Sequence, residues 1–163
     1  GVTNLVVCGL LFAVFGLGLG RVSRSGRMLV TLAGIALVVA GLVPTDPGLN
    51  FPPGAANIRT PMGSVHEAAA GVLFLSLIIA AVVLGRASGR RGAGTAVAVA
   101  IVIGFAVCSV LVALDYSGTW PSAPSGLFEK VALFLAMAWP VAVASRSRAS
   151  RPVPTSIEAE QQR

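Results

Sequence analysis

Five long, predominantly apolar runs constrain the fold of this chain more than any other feature. They cover approximately residues 4–20, 28–43, 65–85, 93–114 and 127–144. The length of each run is close to the roughly 20 residues with which a helix crosses a bilayer. Only 11% of the residues are charged, whereas a soluble domain carries roughly 25%. This composition argues against a soluble enzyme and against a disordered chain. We therefore predict an all-α fold, an integral membrane helical bundle with five transmembrane helices.

The basic residues predict the orientation of this bundle. Of the 12 Lys and Arg residues, 9 lie in three clusters at alternate connections, where cytoplasmic loops are expected to carry them. We expect a multi-pass plasma-membrane protein with its amino terminus outside and its carboxyl terminus cytoplasmic. The opposite connections hold only Arg59 and, just inside the fifth run, Lys130. The clusters are Arg21, Arg24 and Arg27; Arg86, Arg90 and Arg91; and Arg146, Arg148 and Arg151.

The net charge of +6 does not indicate a nucleic-acid partner, because the basic residues do not share one soluble face. The expected partners are the lipid bilayer and either another membrane protein or a second copy of this chain. A secondary role of the Arg clusters is contact with anionic lipid. The polar tail, residues 146–163, is predicted to be disordered. An outside amino terminus without a basic leader suggests that one more helix precedes Gly1.

Six ionisable residues are expected at the outer ends of helices two to five, where they form a candidate polar cluster. Such a cluster could bind a cation, relay protons or hold a polar headgroup. A His beside carboxylates could also bind Zn²⁺, but no ordered metal motif is present, so we predict neither metal nor cofactor. The members are Asp46, His66, Glu67, Asp115, Glu129 and Lys130.

A structural interpretation of the same residues competes with the functional one. Ser64 and Glu67 have the spacing of a capping box, in which Ser64 caps the third helix and Glu67 bonds back. We favour this capping role for His66 and Glu67. Asp115 is harder to explain in this way, because it is expected just after a helix carboxyl terminus, where negative charge is disfavoured.

Small residues line the first two runs and predict close helix packing. Gly16 and Gly20 form a GxxxG step, and Gly34 and Gly41 lie in the second run. Small residues let helix backbones approach closely, either within one bundle or between two copies; we favour the first. Cys8 and Cys108 are expected at similar depth, and the sequence leaves open whether they pair or simply pack.

Three segments resemble the bacterial membrane family called domain of unknown function 998. They are Gly41-Leu42-Val43-Pro44-Thr45-Asp46-Pro47, then Ser64-Val65-His66-Glu67-Ala68-Ala69-Ala70, and Gly126-Leu127-Phe128-Glu129-Lys130 followed by Trp139. The Asn4-Leu5 opening is similar as well, and Glu129-Lys130 departs from the family pattern. The resemblance implies about six spans in the complete protein and no established reaction. It marks Asp46 and His66 for closest attention.

Three functional hypotheses follow. The leading one is a non-catalytic interaction or assembly protein, because no ordered catalytic set is present. The alternative is a transporter or small-ligand receptor whose polar mouth is formed by the outer helix ends. The second alternative is a metal-dependent, lipid-modifying membrane enzyme.

Overall fold

The computed structural model describes residues 2–47 and 58–149. Within these residues the chain forms α-helices, one short 3₁₀ helix (Leu19–Arg21) and no strand. The α-helices are α1 (Val2–Gly18), α2 (Arg24–Leu42), α3 (Pro61–Ala87), α4 (Arg91–Tyr116) and α5 (Ser125–Ala149). All five are long and apolar enough to cross a membrane. The prediction of an all-α membrane bundle is confirmed.

The helices pack mainly against their neighbours in the chain. α1 lies on α2, α2 on α3, α3 on α4 and α4 on α5, and α3 also contacts α5. The short connections place Arg21, Arg86, Arg90 and Arg91 at one end of the bundle, which we name the arginine end. The other end holds the carboxylates of the described residues, Asp46, Glu67, Asp115 and Glu129, and we name it the carboxylate end.

Glycines allow α1 to approach α2 closely. A Cβ atom at Gly16 would stand 2.6 Å from the Thr31 amide nitrogen, and one at Gly9 would stand 2.8 Å from the Gly34 carbonyl oxygen. Gly34 in turn faces the backbone of Ala13, and Gly41 faces Leu5. The fourth candidate, Gly20, lies beside the Arg27 side chain instead of a helix backbone.

The core runs along α3, whose Phe74, Leu77 and Leu84 are almost fully buried. At the arginine end Gly85 packs against Gly94 of α4, where a Cβ atom at Gly85 would stand 2.7 Å from the Gly94 Cα atom. Trp139 of α5 donates its indole N–H to the Ala81 carbonyl oxygen at 3.2 Å. Large apolar side chains on the opposite faces of the helices are exposed, as expected for surfaces that face lipid.

Several helix ends differ from those expected. α2 begins at Arg24, so its 19 residues extend about 28 Å at 1.5 Å per residue, close to a full hydrocarbon thickness. α5 continues to Ala149, so residues 146–149 are helical, whereas the sequence predicted them to be disordered. Arg151 and the rest of the tail lie outside the described residues.

Candidate functional site

A cavity of about 540 Å³ opens at the carboxylate end, within the size range of small-molecule sites. Four candidate residues line it: Asp46, His66, Glu67 and Glu129. They come from three parts of the chain, namely the segment after α2, the first turns of α3 and the start of α5. The wall contributed by α4 consists of Phe105, Cys108, Ser109, Val112 and Tyr116.

Asp46 is held in place by the start of α3. Its carboxylate accepts hydrogen bonds from the Thr60 backbone amide, at 2.8 Å, and from the Thr60 hydroxyl. The Thr60 hydroxyl oxygen accepts from the Gly63 amide at 3.1 Å and so caps the helix. A Cβ atom at Gly63 would collide with the Asp46 carboxylate, so this approach requires glycine.

These bonds also determine the charge of Asp46. The side-chain hydrogen bond from Thr60 lowers its pKa most, followed by the Thr60 backbone hydrogen bond and, more weakly, the positive charge of Arg59. Because each of these interactions favours the ionised form, Asp46 carries a fixed negative charge at neutral pH.

His66 connects α3 to the end of α2 by a hydrogen bond. Its Nδ1 lies 2.9 Å from the Val43 carbonyl oxygen. A carbonyl can only accept, so Nδ1 must carry the proton, and in the neutral ring Nε2 remains an acceptor. Val43 is the C-cap residue that follows α2, and its carbonyl is one of the oxygens that a helix terminus leaves without an intrahelical partner. Asp46 and His66 thus connect the two helices on the same side of the cavity.

Glu67 and Glu129 differ from Asp46 in the exposure and hydrogen bonding of their carboxylates. Both side chains are exposed where they line the cavity, and neither takes part in a side-chain hydrogen bond among the described residues. Phe105 and Tyr116 add aromatic surface to the same lining. The cavity therefore combines accessible negative charge with an apolar and aromatic wall.

The remaining two candidates lie outside the cavity lining. Asp115 is in the last turn of α4 and not beyond it as predicted, because the helix ends at Tyr116, two residues after the predicted end. Its Oδ1 accepts from the Ser122 amide at 3.0 Å, and its buried Oδ2 has no hydrogen-bond partner in the described part of the chain. Lys130 is exposed on α5.

The predicted capping box is wrong. α3 begins at Pro61, so Ser64 and Glu67 lie within the helix, and the Ser64 hydroxyl donates to the Thr60 carbonyl oxygen at 3.2 Å. Sequence reasoning missed Thr60 and Gly63 as parts of the site. A signal was present, because Thr60-Pro61 combines a favoured N-cap residue with proline at the first helical position.

Metal binding gains no geometric support. Residues 2–47 and 58–149 contain no group of three His, Cys, Asp or Glu residues close enough to hold an ion. Cys8 and Cys108 are both free thiols. Cys8 lies 3.4 Å from Oδ1 of Asn4, whereas Cys108 is buried and lines the cavity.

Comparison with protein families gives one match. A family model described as "Protein of unknown function (DUF998)" matches residues 2–146. The chain belongs to this family. The predicted resemblance is therefore confirmed, and the match includes every residue of the cavity lining. No curated protein and no solved structure matches the chain.

Proposed function

We propose that this DUF998 protein is a non-catalytic membrane receptor that binds a small organic cation in the carboxylate-end cavity. The observation that supports this proposal is the composition of the lining. Three carboxylates from separate elements surround one volume, and no Lys or Arg is among the described lining residues. Of the hypotheses drawn from the sequence, the small-ligand receptor is the one that this geometry favours.

The proposed ligand has an ammonium group and an apolar body. Glu67 and Glu129 supply the charge, because both residues are exposed and neither carboxylate is hydrogen-bonded to a side chain of the described residues. The ring faces of Phe105 and Tyr116 can contact a cation, and their apolar surface can pack against the body of the ligand. Asp46 adds negative potential, but its oxygens are already bonded to Thr60. We assign Asp46 and His66 a positioning role.

The geometry favours binding over transport. The carboxylates of the described residues lie at the ends of α3, α4 and α5 or in the segment after α2. Transporter sites usually lie near the bilayer midplane, between discontinuous helices. A cavity at one end of continuous helices can hold a ligand without offering it a path across the membrane.

The membrane and the orientation belong to the same proposal. We place the protein in the plasma membrane with the cavity outside and the arginine end in the cytoplasm, because Lys and Arg accumulate on the cytoplasmic side. The first helix of the chain then begins outside. As partner we keep the one expected from the sequence, another membrane protein or a second copy of this chain.

Binding of benzyltrimethylammonium to the purified protein in nanodiscs tests the proposal by isothermal titration calorimetry. We expect Glu67→Gln combined with Glu129→Gln to weaken binding at least tenfold, which corresponds to about 1.4 kcal/mol. Asp115→Asn is the matched control, because it removes a carboxylate at the same end that does not line the cavity. It should leave the affinity within twofold.

Two results would contradict the proposal. One is unchanged affinity in the double glutamate variant. The other is equal weakening by Asp115→Asn, which would indicate a general surface potential and no defined site. Phenylacetate, which has the same ring and the opposite charge, is the negative control for the ligand. It should bind neither to the wild type nor to the variants.

A further inference from the structure

A second cavity, of about 590 Å³, lies at the arginine end, and its size also falls in the range of ligand sites. It is formed where α1 ends, where α2 begins and where α5 passes them. Arg21, Arg27 and Ser147 contribute polar groups, and Phe15 and Leu17 contribute apolar surface. This site is far along the bundle from the carboxylate end and does not depend on the proposed receptor function.

Within residues 2–47 and 58–149, no acidic side chain lines this cavity. Arg21 and Arg27 are both exposed, and the acids of the described residues, Asp46, Glu67, Asp115 and Glu129, belong to the opposite end. Two guanidinium groups in one cavity favour an anion. Guanidinium groups bind phosphate oxygens with paired, charge-assisted hydrogen bonds.

The backbone at this end brings the two arginines to the same cavity. α1 tightens into the 3₁₀ helix Leu19–Arg21, and Ser23 then caps α2 by accepting from the Gly26 amide at 3.0 Å. The chain therefore reverses direction within a few residues. Arg27 folds over Gly20, where a Cβ atom would stand 3.2 Å from its Cδ atom. The glycine leaves room for the Arg27 side chain at the cavity.

The apolar part of the lining indicates what carries the anion. Phe15 and Leu17 belong to the membrane-spanning part of α1, and Leu17 is 58% exposed on the bundle surface. A ligand that contacts them and the guanidinium groups has a phosphate next to a hydrocarbon chain. Basic pockets between transmembrane helices bind the headgroups of anionic lipids in this manner.

We propose that the cavity at Arg21, Arg27 and Ser147 is a binding site for the phosphate headgroup of an anionic phospholipid. The two guanidinium groups hold the phosphodiester, and Phe15 and Leu17 contact the upper part of an acyl chain. The site differs from general attraction between a basic loop and a charged membrane, because Arg21 and Arg27 line a defined cavity together with apolar side chains of α1.

Native mass spectrometry of the full chain, released from nanodiscs of phosphatidylglycerol and phosphatidylcholine, tests the proposal. We expect one phosphatidylglycerol to be retained in preference to phosphatidylcholine. Arg21→Gln combined with Arg27→Gln should reduce this retention at least tenfold. Arg90→Gln combined with Arg91→Gln is the matched control, since it removes the same charge from the same end outside the cavity lining, and it should change retention less than twofold.

A variant that keeps every charge separates the cavity from the potential. Gly18 lines the cavity, and nothing lies within 4 Å of where its Cβ atom would stand. Gly18→Leu should therefore fold, fill part of the cavity and reduce retention at least fivefold. Circular dichroism and thermal unfolding of each variant show whether the bundle is intact.

The source of the phosphate is decided by a competition arm. Inorganic phosphate at millimolar concentration is added to the protein in mixed nanodiscs, and its binding is measured separately in nanodiscs of phosphatidylcholine alone. We expect no displacement and no saturable binding. Saturable phosphate binding that displaces the lipid would overturn the lipid assignment. Equal losses in the two double arginine variants, or full retention in Gly18→Leu, would overturn the site.

Discussion

Thr60 and Asp46 show how single polar side chains organise the carboxylate end. Thr60 has two roles, because its hydroxyl accepts from the Gly63 amide while donating to Asp46. One residue therefore begins α3 and also fixes a carboxylate beside the cavity. Asp46 lies in one of the segments that resemble the family, and this contact gives it a structural role that is independent of any ligand.

Thr60→Ala and Ser64→Ala distinguish this helix start from the one expected from the sequence. Thr60→Ala should lower the free energy of unfolding by more than the roughly 1 kcal/mol usual for removing an N-cap, because it also removes the side-chain hydrogen bond to Asp46. Ser64→Ala should have little effect, because the Ser64 hydroxyl bonds only to the carbonyl of the preceding turn. Denaturation in mixed micelles measures both. A larger loss in Ser64→Ala would show that α3 begins later.

The pH dependence of Asp46 has a defined sign. Its folded-state pKa is lowered, first by the side-chain hydrogen bond from Thr60, so the stability it contributes is fully present above the ordinary value of 3.8. This contribution is lost as the pH falls through the lower folded-state value. We therefore expect the stability difference between the wild type and Asp46→Ala to be constant near neutral pH and to shrink below pH of about 4.

Thermal unfolding of both proteins across this pH range measures that difference. His66→Ala is the comparison, because it removes a contact between the same two helices without removing the carboxylate. A difference for Asp46→Ala that grows with acid would contradict the hydrogen-bonded, ionised state.

At the scale of the helices, hydrophobic runs predict the elements well because a bilayer core leaves few alternatives. Every backbone amide must be bonded within the segment, so a long apolar run becomes a helix. The starts of α2 and α3 were harder to predict, because both lie outside the apolar stretch. Arg24 begins one and Pro61 the other, and polar or loop-forming residues weaken the hydropathy signal on which the boundaries were based.

The lining of the cavity could be predicted only in part for a related reason. The sequence places residues at the end of a helix, but successive residues point about 100° apart around its axis. Tyr116 therefore lines the cavity while its neighbour Asp115 does not, and Glu129 lines it while Lys130 does not. Which face of α4 and α5 turns inward depends on packing against α3, and no local pattern encodes it.

The contact between α1 and α2 depends on glycine. Gly34→Leu would drive a side chain into the Ala13 backbone, and we expect a loss of at least the roughly 1–3 kcal/mol typical of overpacking. Gly71→Ala is the control, since nothing lies within 4 Å of its Cβ position in α3; it should be neutral or stabilising by up to about 1 kcal/mol. Steric trapping in bicelles measures both. A tolerated Gly34→Leu would mean that the helices do not pack this closely.

At the scale of the whole molecule, the bundle has two chemically opposite ends. Carboxylates surround one cavity and guanidinium groups line the other, with an apolar core and lipid-facing helix surfaces between them. Such a separation follows from the side preference of basic residues, which draws Arg to one membrane face and leaves acids at the other. The two proposed ligands have correspondingly opposite charges, a cation at one end and a phosphate at the other.

This polarity predicts which residues an impermeant thiol reagent can reach in intact cells. In a background of Cys8→Ser and Cys108→Ala, a single cysteine replaces Thr119 at the carboxylate end or Ala87 at the arginine end, both exposed positions. We expect labelling of Thr119→Cys in intact cells and of Ala87→Cys only after permeabilisation, because the proposed orientation places the arginine end in the cytoplasm. The reverse pattern would show that the bundle has the opposite orientation, with the cation cavity facing the cytoplasm and the phosphate site in the outer leaflet. The membrane orientation therefore decides from which side each proposed ligand must come.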